Sequence, residues 1–152
     1  MALRPYRRKA QFYETDGMGI IYHGNYIHWM EEARLDMLEQ LGWGYEKVRA
    51  AGLDFGVTET ACRHLGMVRF GDTVEIVMTM PHLSPARLEL GYTIADAATG
   101  EVRAEGRTGH FFWDMARQRP VALKRAEPAL YALLAELAGE ERRGGDPWTG
   151  RK

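Results

Sequence analysis

Residues 26–41 carry their apolar side chains at helical intervals: Tyr26, Met30, Ala33, Met37 and Leu41 form one row. A second row, Ile27, Arg34 and Leu38 with Trp29 nearby, widens that stripe beyond what a surface helix usually needs. The pattern predicts a long helix buried on much of its circumference. Asn25 is placed to cap its first turn, because its side chain can accept a bond from an unpaired N–H there. Gly42 stands where a left-handed residue ends a helix without strain. A short second helix over 45–51 ends at Gly52 in the same way.

Beyond residue 52 the period changes to two. A strand is expected over 57–67, in which Val57, Glu59 and Ala61 alternate with Thr58, Thr60 and Cys62. Apolar and β-branched residues over 73–81, alternation over 87–95, a turn at 97–100 and a long run over 102–113 read as a meander of hairpins. Residues 5–14 read as a strand that precedes the long helix. Pro128 suits the first turn of a last helix, whose stripe is Leu130, Leu133, Leu134 and Leu137. One strand, a buried helix, four strands and a helix together predict an α+β fold with a five-stranded antiparallel sheet. A sheet wrapped around the long central helix would explain why that helix is apolar nearly all round. The open edges of such a sheet need pairing or cover, and a dimer joining two sheets edge to edge supplies it.

Composition narrows the class. The 152 residues suit a single domain, expected over 1–140, with a flexible tail over 141–152. With 45% hydrophobic and 27% charged residues the chain reads as globular and soluble. One cysteine, Cys62, rules out a disulfide framework and a cysteine-based zinc cluster, and a cytoplasmic location is the simple expectation. A formal charge of −1 gives no electrostatic case for nucleic acid as a partner. The basic start, Arg7-Arg8-Lys9, is followed by no apolar stretch of signal-peptide length, and no run is long enough to span a membrane. Glycine is over-represented at 17 residues, and Gly17, Gly19 and Gly24 fall close together.

Those three glycines lie in the segment Phe12-Tyr-Glu-Thr-Asp-Gly-Met-Gly-Ile-Ile-Tyr-His-Gly-Asn-Tyr26. It places a carboxylate, Asp16, in a loop before a helix, and His23 at the helix start, where the N–H groups of residues 23–25 should be free. A carboxylate can activate water or attack a carbonyl directly. A helix N-terminus can hold the oxyanion that then develops. The same Asp-Gly pair also reads simply as a turn.

The wording of this segment resembles the signature of the 4-hydroxybenzoyl-CoA thioesterase family of hotdog-fold proteins, including the thioesterase that accompanies bacterial Tol-Pal genes. The matching positions are Tyr13-Glu14-Thr15-Asp16, Gly19, Ile20 to His23, Asn25-Tyr26, Glu31 and Arg34, and the run from Met67 to Asp72 resembles the family's entry into a later strand. The resemblance covers about residues 5–125. It implies a hotdog fold and hydrolysis of acyl-CoA thioesters, with Asp16 as the catalytic carboxylate. The amide of His23 would lie where the thioester oxygen is held, and its side chain would orient substrate or water. It also implies that Gly19, Tyr22, Gly24 and Tyr26 form or support the pocket, and that Glu31 and Arg34 make an ion pair that positions the helix. Arg87, in the hairpin of residues 84–87, would help hold the nucleotide, joined by Arg63, Arg69 or the N-terminal basic run of another subunit. Sites in this family lie between two chains, so a homodimer, assembling further to a homotetramer, is expected. Coenzyme A enters as part of the substrate, with an acyl-carrier-protein thioester as the other donor, and no separate cofactor or metal is implied. Two positions depart from the pattern: Glu14 stands for an aspartate, and Met67 for a proline.

Other readings are weaker. His23 and His28 are five apart, so they do not share a helix face with Asp16 as metal ligands must. Cys62 and His64 alternate onto one strand face, but nothing in the sequence orients that histidine. A hydratase or dehydratase of the same fold pairs its aspartate with a histidine five positions later, where this chain has Ile21. A non-catalytic acyl-thioester-binding module would not need the intact Asp16. The acyl group itself is not legible.

Overall fold

The structure, a computed structural model, describes residues 2–141. The long helix forms where the periodicity places it: α1 spans Asn25–Gln40 and buries Tyr26, Trp29, Met30, Ala33, Met37 and Leu38. It is less enclosed than expected, because Ile27 and Leu35 remain 47% and 39% exposed on its outer face. The sheet covers only one side of it. Asn25 does not cap the helix. Gly24 takes the N-cap position, and the Asn25 amide donates 2.8 Å to the carbonyl of Glu14. A short α2, Tyr45–Ala50, follows.

The strands are β1 (Tyr6–Lys9), β2 (Leu53–His64), β3 (Thr73–Leu83), β4 (Arg87–Asp96), β5 (Val102–Asp114) and the two-residue β6 (Arg119–Pro120). They form one antiparallel sheet in the order β1-β3-β4-β5-β2, with β6 added to β5. The five expected strands are present, and the small sixth is additional. β1 is shorter than the predicted strand. It ends at Lys9, and a 3₁₀ turn over Phe12–Glu14 carries the chain inward so that Glu14 can be buried. β2 starts and ends earlier than its alternation suggested, and it lies at an edge of the sheet with β5 as its only neighbour among the described residues. After a four-residue α3 (Leu123–Ala126), α4 (Pro128–Glu141) packs against β3 through the buried Leu130, Leu134 and Leu137. The expected tail, past Glu141, lies outside the described residues. No helix among the described residues is long and apolar enough to cross a membrane.

The sheet curls over α1, and Gly106 of β5 marks the closest approach. A Cβ there would sit 2.2 Å from the Met30 sulfur and 3.4 Å from the Tyr92 ring. Val74, Ile76, Leu88, Leu90, Ile94 and Phe112 complete the shared core. Gly106→Ala is therefore expected to lower stability by about 1–3 kcal/mol through overpacking, as measured by urea denaturation.

Candidate active site

Residues 15–21 form a small hairpin. Thr15 and Ile21 pair across it, and the Asp16 N–H donates 2.9 Å to the Ile20 carbonyl. Gly19 closes the turn at φ +76°, a conformation that a side chain would strain. The hairpin is pinned to the connection between β2 and β3 by the Ile20–Arg69 bridge and a 2.8 Å bond from the Ile21 N–H to the Val68 carbonyl. Asp16 sits half-buried at its tip. One carboxylate oxygen accepts the Met18 N–H at 2.8 Å; the other has no protein partner among the described residues. Asp16 is thus both a turn residue and a wall of the adjacent cavity.

Glu14 holds this hairpin to the helix. Its side chain is 3% exposed and accepts bonds from the Arg8 guanidinium, the Gln11 N–H at 2.9 Å and the Trp29 indole N–H at 2.8 Å. Its carbonyl accepts the Tyr22 N–H at 2.9 Å as well as the Asn25 amide. Burial opposes the charge on Glu14, but Arg8 and the two N–H donors outweigh it and hold the carboxyl below its usual range. Arg8 also pairs with Glu32 at 2.8 Å, and Arg7 with Glu75 at 2.6 Å, so both already have partners within the chain.

A cavity of about 350 Å³ opens beside the hairpin, lined by Asp16, Met18, His23, Tyr26, His64 and Met67 among others. The N–H groups of His23 and Gly24 have no partner among the described residues, whereas that of Asn25 bonds the Tyr22 carbonyl at 2.9 Å. Two of the three expected free donors are therefore present. Tyr22 is exposed beside His23, with ring centroids 4.3 Å apart, and a Cβ on Gly24 would collide with the Tyr22 ring at 2.6 Å. Tyr26 is buried against Trp29, with ring centroids 5.0 Å apart, and burial pushes its phenol up to about 12, which keeps it protonated.

His64 joins the cavity from the end of β2, with its ring 4.9 Å from Tyr26 and 6.2 Å from His23. Burial and the nearby His23 lower its pKa. Sequence reasoning considered His64 only with Cys62, whose thiol burial pushes up to about 11, away from reactivity. Nothing local signals that β2 ends beside the Asp16 hairpin; that depends on sheet order.

Other expected residues are not brought to this cavity. Arg87 is exposed at the start of β4, in register with Phe111, while His64 is in register with Ala104 at the other end of the sheet. Glu31 and Arg34 make no ion pair. Arg34 instead donates 3.2 Å to the Tyr92 hydroxyl, because its side chain turns in toward the sheet. Both residues line a second cavity, of about 370 Å³, beneath α1 and α2. Behind Arg34 runs a buried chain of hydrogen bonds, from Tyr92 to Thr108 at 2.7 Å, Thr108 to His110 Nε2 at 2.7 Å, and His110 Nδ1 to the Gly56 carbonyl at 3.1 Å. Burial, aided by the charge of Arg34, pushes His110 down to about 4, so the ring is neutral. Since the Gly56 carbonyl can only accept, His110 carries its proton on Nδ1. Thr108 then donates to Nε2 and Tyr92 donates to Thr108, which leaves the Tyr92 oxygen to accept from Arg34. Among the described residues no three histidine, cysteine or carboxylate side chains gather in a metal-binding group.

Comparison with known proteins places this geometry. Residues 10–134 match the thioesterase-like superfamily. The 1,4-dihydroxy-2-naphthoyl-CoA hydrolase of Thermosynechococcus vestitus is 29% identical over 139 residues, covering 91% of this chain and 94% of its own. The structure of DHNA-CoA thioesterase from Staphylococcus aureus superposes with a TM-score of 0.85 at 27% identity, covering 93% of this chain and 95% of its own. A hypothetical protein from Thermus thermophilus superposes with a TM-score of 0.80 at 32% identity, covering 88% and 98%. The curled antiparallel sheet around a helix is that of the hotdog thioesterases.

The Glu14 anchor has a pH signature. A carboxyl whose pKa is depressed on folding stabilises fully above its unfolded-state value, near 4.3, and that stabilisation is lost as pH falls through the lower folded value. Glu14→Gln leaves Arg8 short of one partner and is expected to destabilise by about 3 kcal/mol at pH 7. The deficit should shrink below about pH 4, which denaturation curves across pH 3–8 would reveal.

Proposed function

This chain belongs to the thioesterase-like superfamily, and from that premise we propose that it hydrolyses acyl-CoA thioesters to the free acid and coenzyme A. The observation that carries the reading is that Asp16 and His23 line one cavity, with the N–H groups of His23 and the adjacent Gly24 unpartnered among the described residues. Asp16 acts as general base on water or as the nucleophile. In the first case water adds to the carbonyl carbon as Asp16 takes its proton. In the second the carboxylate adds and water later cleaves the mixed anhydride. In both, the two N–H groups and the helix dipole stabilise the oxyanion, the carbon–sulfur bond breaks, and the thiolate leaves and is protonated. His23 orients substrate or water, and Gly19, Tyr22, Gly24 and Tyr26 shape the mouth. The segment from Tyr13 to Tyr26 supports placement with the 4-hydroxybenzoyl-CoA type within the superfamily. The reaction as proposed needs no cofactor, and a cytoplasmic setting fits a thioester donor on coenzyme A or a carrier protein.

The reading includes a homodimer, open to further pairing into a tetramer. Among the described residues the outer edge of β2 is unpaired; Val57 on it is 52% exposed, and Ile27 and Leu35 of α1 are exposed too. Two β2 strands paired antiparallel about their middle would set His64 of one copy against residues 52–56 of the other. The Asp16 cavity of one chain would then adjoin the second cavity of its partner, which has Asp54, Phe55 and Val57 in its wall. Within one chain the two open on different stretches of α1, the first at Tyr26 and the second from Glu31 to Leu38. The same pairing offers Arg87 a route to the nucleotide from another subunit.

A panel of acyl-CoA esters with released thiol as readout tests the activity. Asp16→Asn is expected to lower kcat by about 10³-fold while the melting temperature stays near that of the unaltered protein. Near-normal hydrolysis by Asp16→Asn would overturn the mechanism. Hydration of crotonyl-CoA without thiol release would point to the hydratase chemistry instead.

A further inference from the structure

The second cavity has the make-up of a ligand site. Leu35, Leu38, Phe55, Leu88 and Leu90 give it apolar walls, and its charged side chains are Glu31 and Arg34 of α1 and Asp54 of β2, the last paired with Arg49 at 3.0 Å. Its volume of about 370 Å³ lies in the range of small-molecule pockets. Oppositely charged residues three apart on a helix ordinarily pair, yet Glu31 and Arg34 do not. Arg34 is instead held by Tyr92, whose oxygen must accept because the bonds through Thr108 to His110 and the Gly56 carbonyl run in one direction. The relay orients the guanidinium and uses one of its N–H groups. The others have no protein partner among the described residues, and they share a largely apolar cavity.

Resting on the two-chain thioesterase reading, we propose that this cavity receives the far end of the acyl group bound at Asp16 of a second copy, and that Arg34 selects acyl groups ending in a neutral oxygen, a hydroxyl or a carbonyl. A plain hydrocarbon end would bury guanidinium N–H groups with no acceptor. A terminal hydroxyl can accept from Arg34 and donate to Glu31. A terminal carboxylate would gain the Arg34 charge but meet the carboxylates of Glu31 and Asp54 in the same cavity, and these two acids discriminate against it. Tyr92, Thr108 and His110 are positioning residues that act through Arg34.

The test uses the straight or aromatic skeleton that the thiol-release panel favours, with three ends compared; for a straight chain these are hexanoyl-, 6-hydroxyhexanoyl- and adipoyl-CoA. The unaltered protein is expected to prefer the hydroxylated ester over the plain one in kcat/KM by about tenfold or more. Arg34→Met should bring that ratio to about one, and Arg34→Lys should leave part of it, since an ammonium lacks the planar fork. Glu31→Gln, an exposed position with no bond to lose, should raise adipoyl-CoA turnover relative to the hydroxylated ester. A ratio near one in the unaltered protein, or a preference that survives in Arg34→Met, overturns the selection while leaving the hydrolase reading in place. If Arg34→Met does not fold, unchanged ratios in both Arg34→Lys and Glu31→Gln overturn it equally. Failure to release thiol from any ester of the panel overturns both readings.

Discussion

The buried carboxylate of Glu14 is the interaction on which the rest of this structure depends. A charge taken out of water is tolerated only when its lone pairs are met. Glu14 meets that condition with three donors from three places: Arg8 of β1, Gln11 of the 3₁₀ turn and Trp29 of α1. Its own carbonyl then receives Tyr22 and Asn25 at the start of the helix. One residue thereby fixes the first strand, the Asp16 hairpin and the helix N-terminus relative to one another. Asp16 is two residues away, so the position of the proposed catalytic carboxylate is inherited from a neighbour that does no chemistry.

The second constraint is the fit of α1 against a curved sheet. Gly106 lets the helix sulfur of Met30 come within reach of the β5 backbone, and Tyr92 and Thr108 bring polar groups into the same tight layer. Those polar groups are satisfied as a connected relay, which is the condition under which a buried network is tolerated. The relay ends at Arg34 on the helix, so packing in the core and the chemistry of the second cavity are parts of one arrangement.

Much was legible along the chain because its determinants are local. Helical spacing marks α1, alternation marks the later strands, and the wording around Asp16 marks the site. What misled was interaction across distance. Asn25 has the right side chain for a cap, but the Glu14 carbonyl claims it. Glu31 and Arg34 have the spacing of an ion pair, but Tyr92, 58 residues away from Arg34, offers a bond that turns the guanidinium inward. His64 carries no sequence signal of its position at the cavity, because its place beside His23 follows from the sheet order β5-β2 and from where the hairpin is pinned.

The sequence by itself determined the α+β class, the central helix, the run of antiparallel strands and the segment that holds Asp16 and His23, because backbone propensity, side-chain period and a contiguous motif are all short-range properties. Tertiary structure decided which of the marked residues meet. It placed His64 at the Asp16 cavity, separated Arg87 and Arg34 from it, and turned Arg34 from half of an expected helix-positioning ion pair into the polar end of a second cavity. The physical reason is that strand order and register set distances between residues far apart in the chain, and hydrogen-bond partners are chosen among whatever the fold brings within about 3 Å.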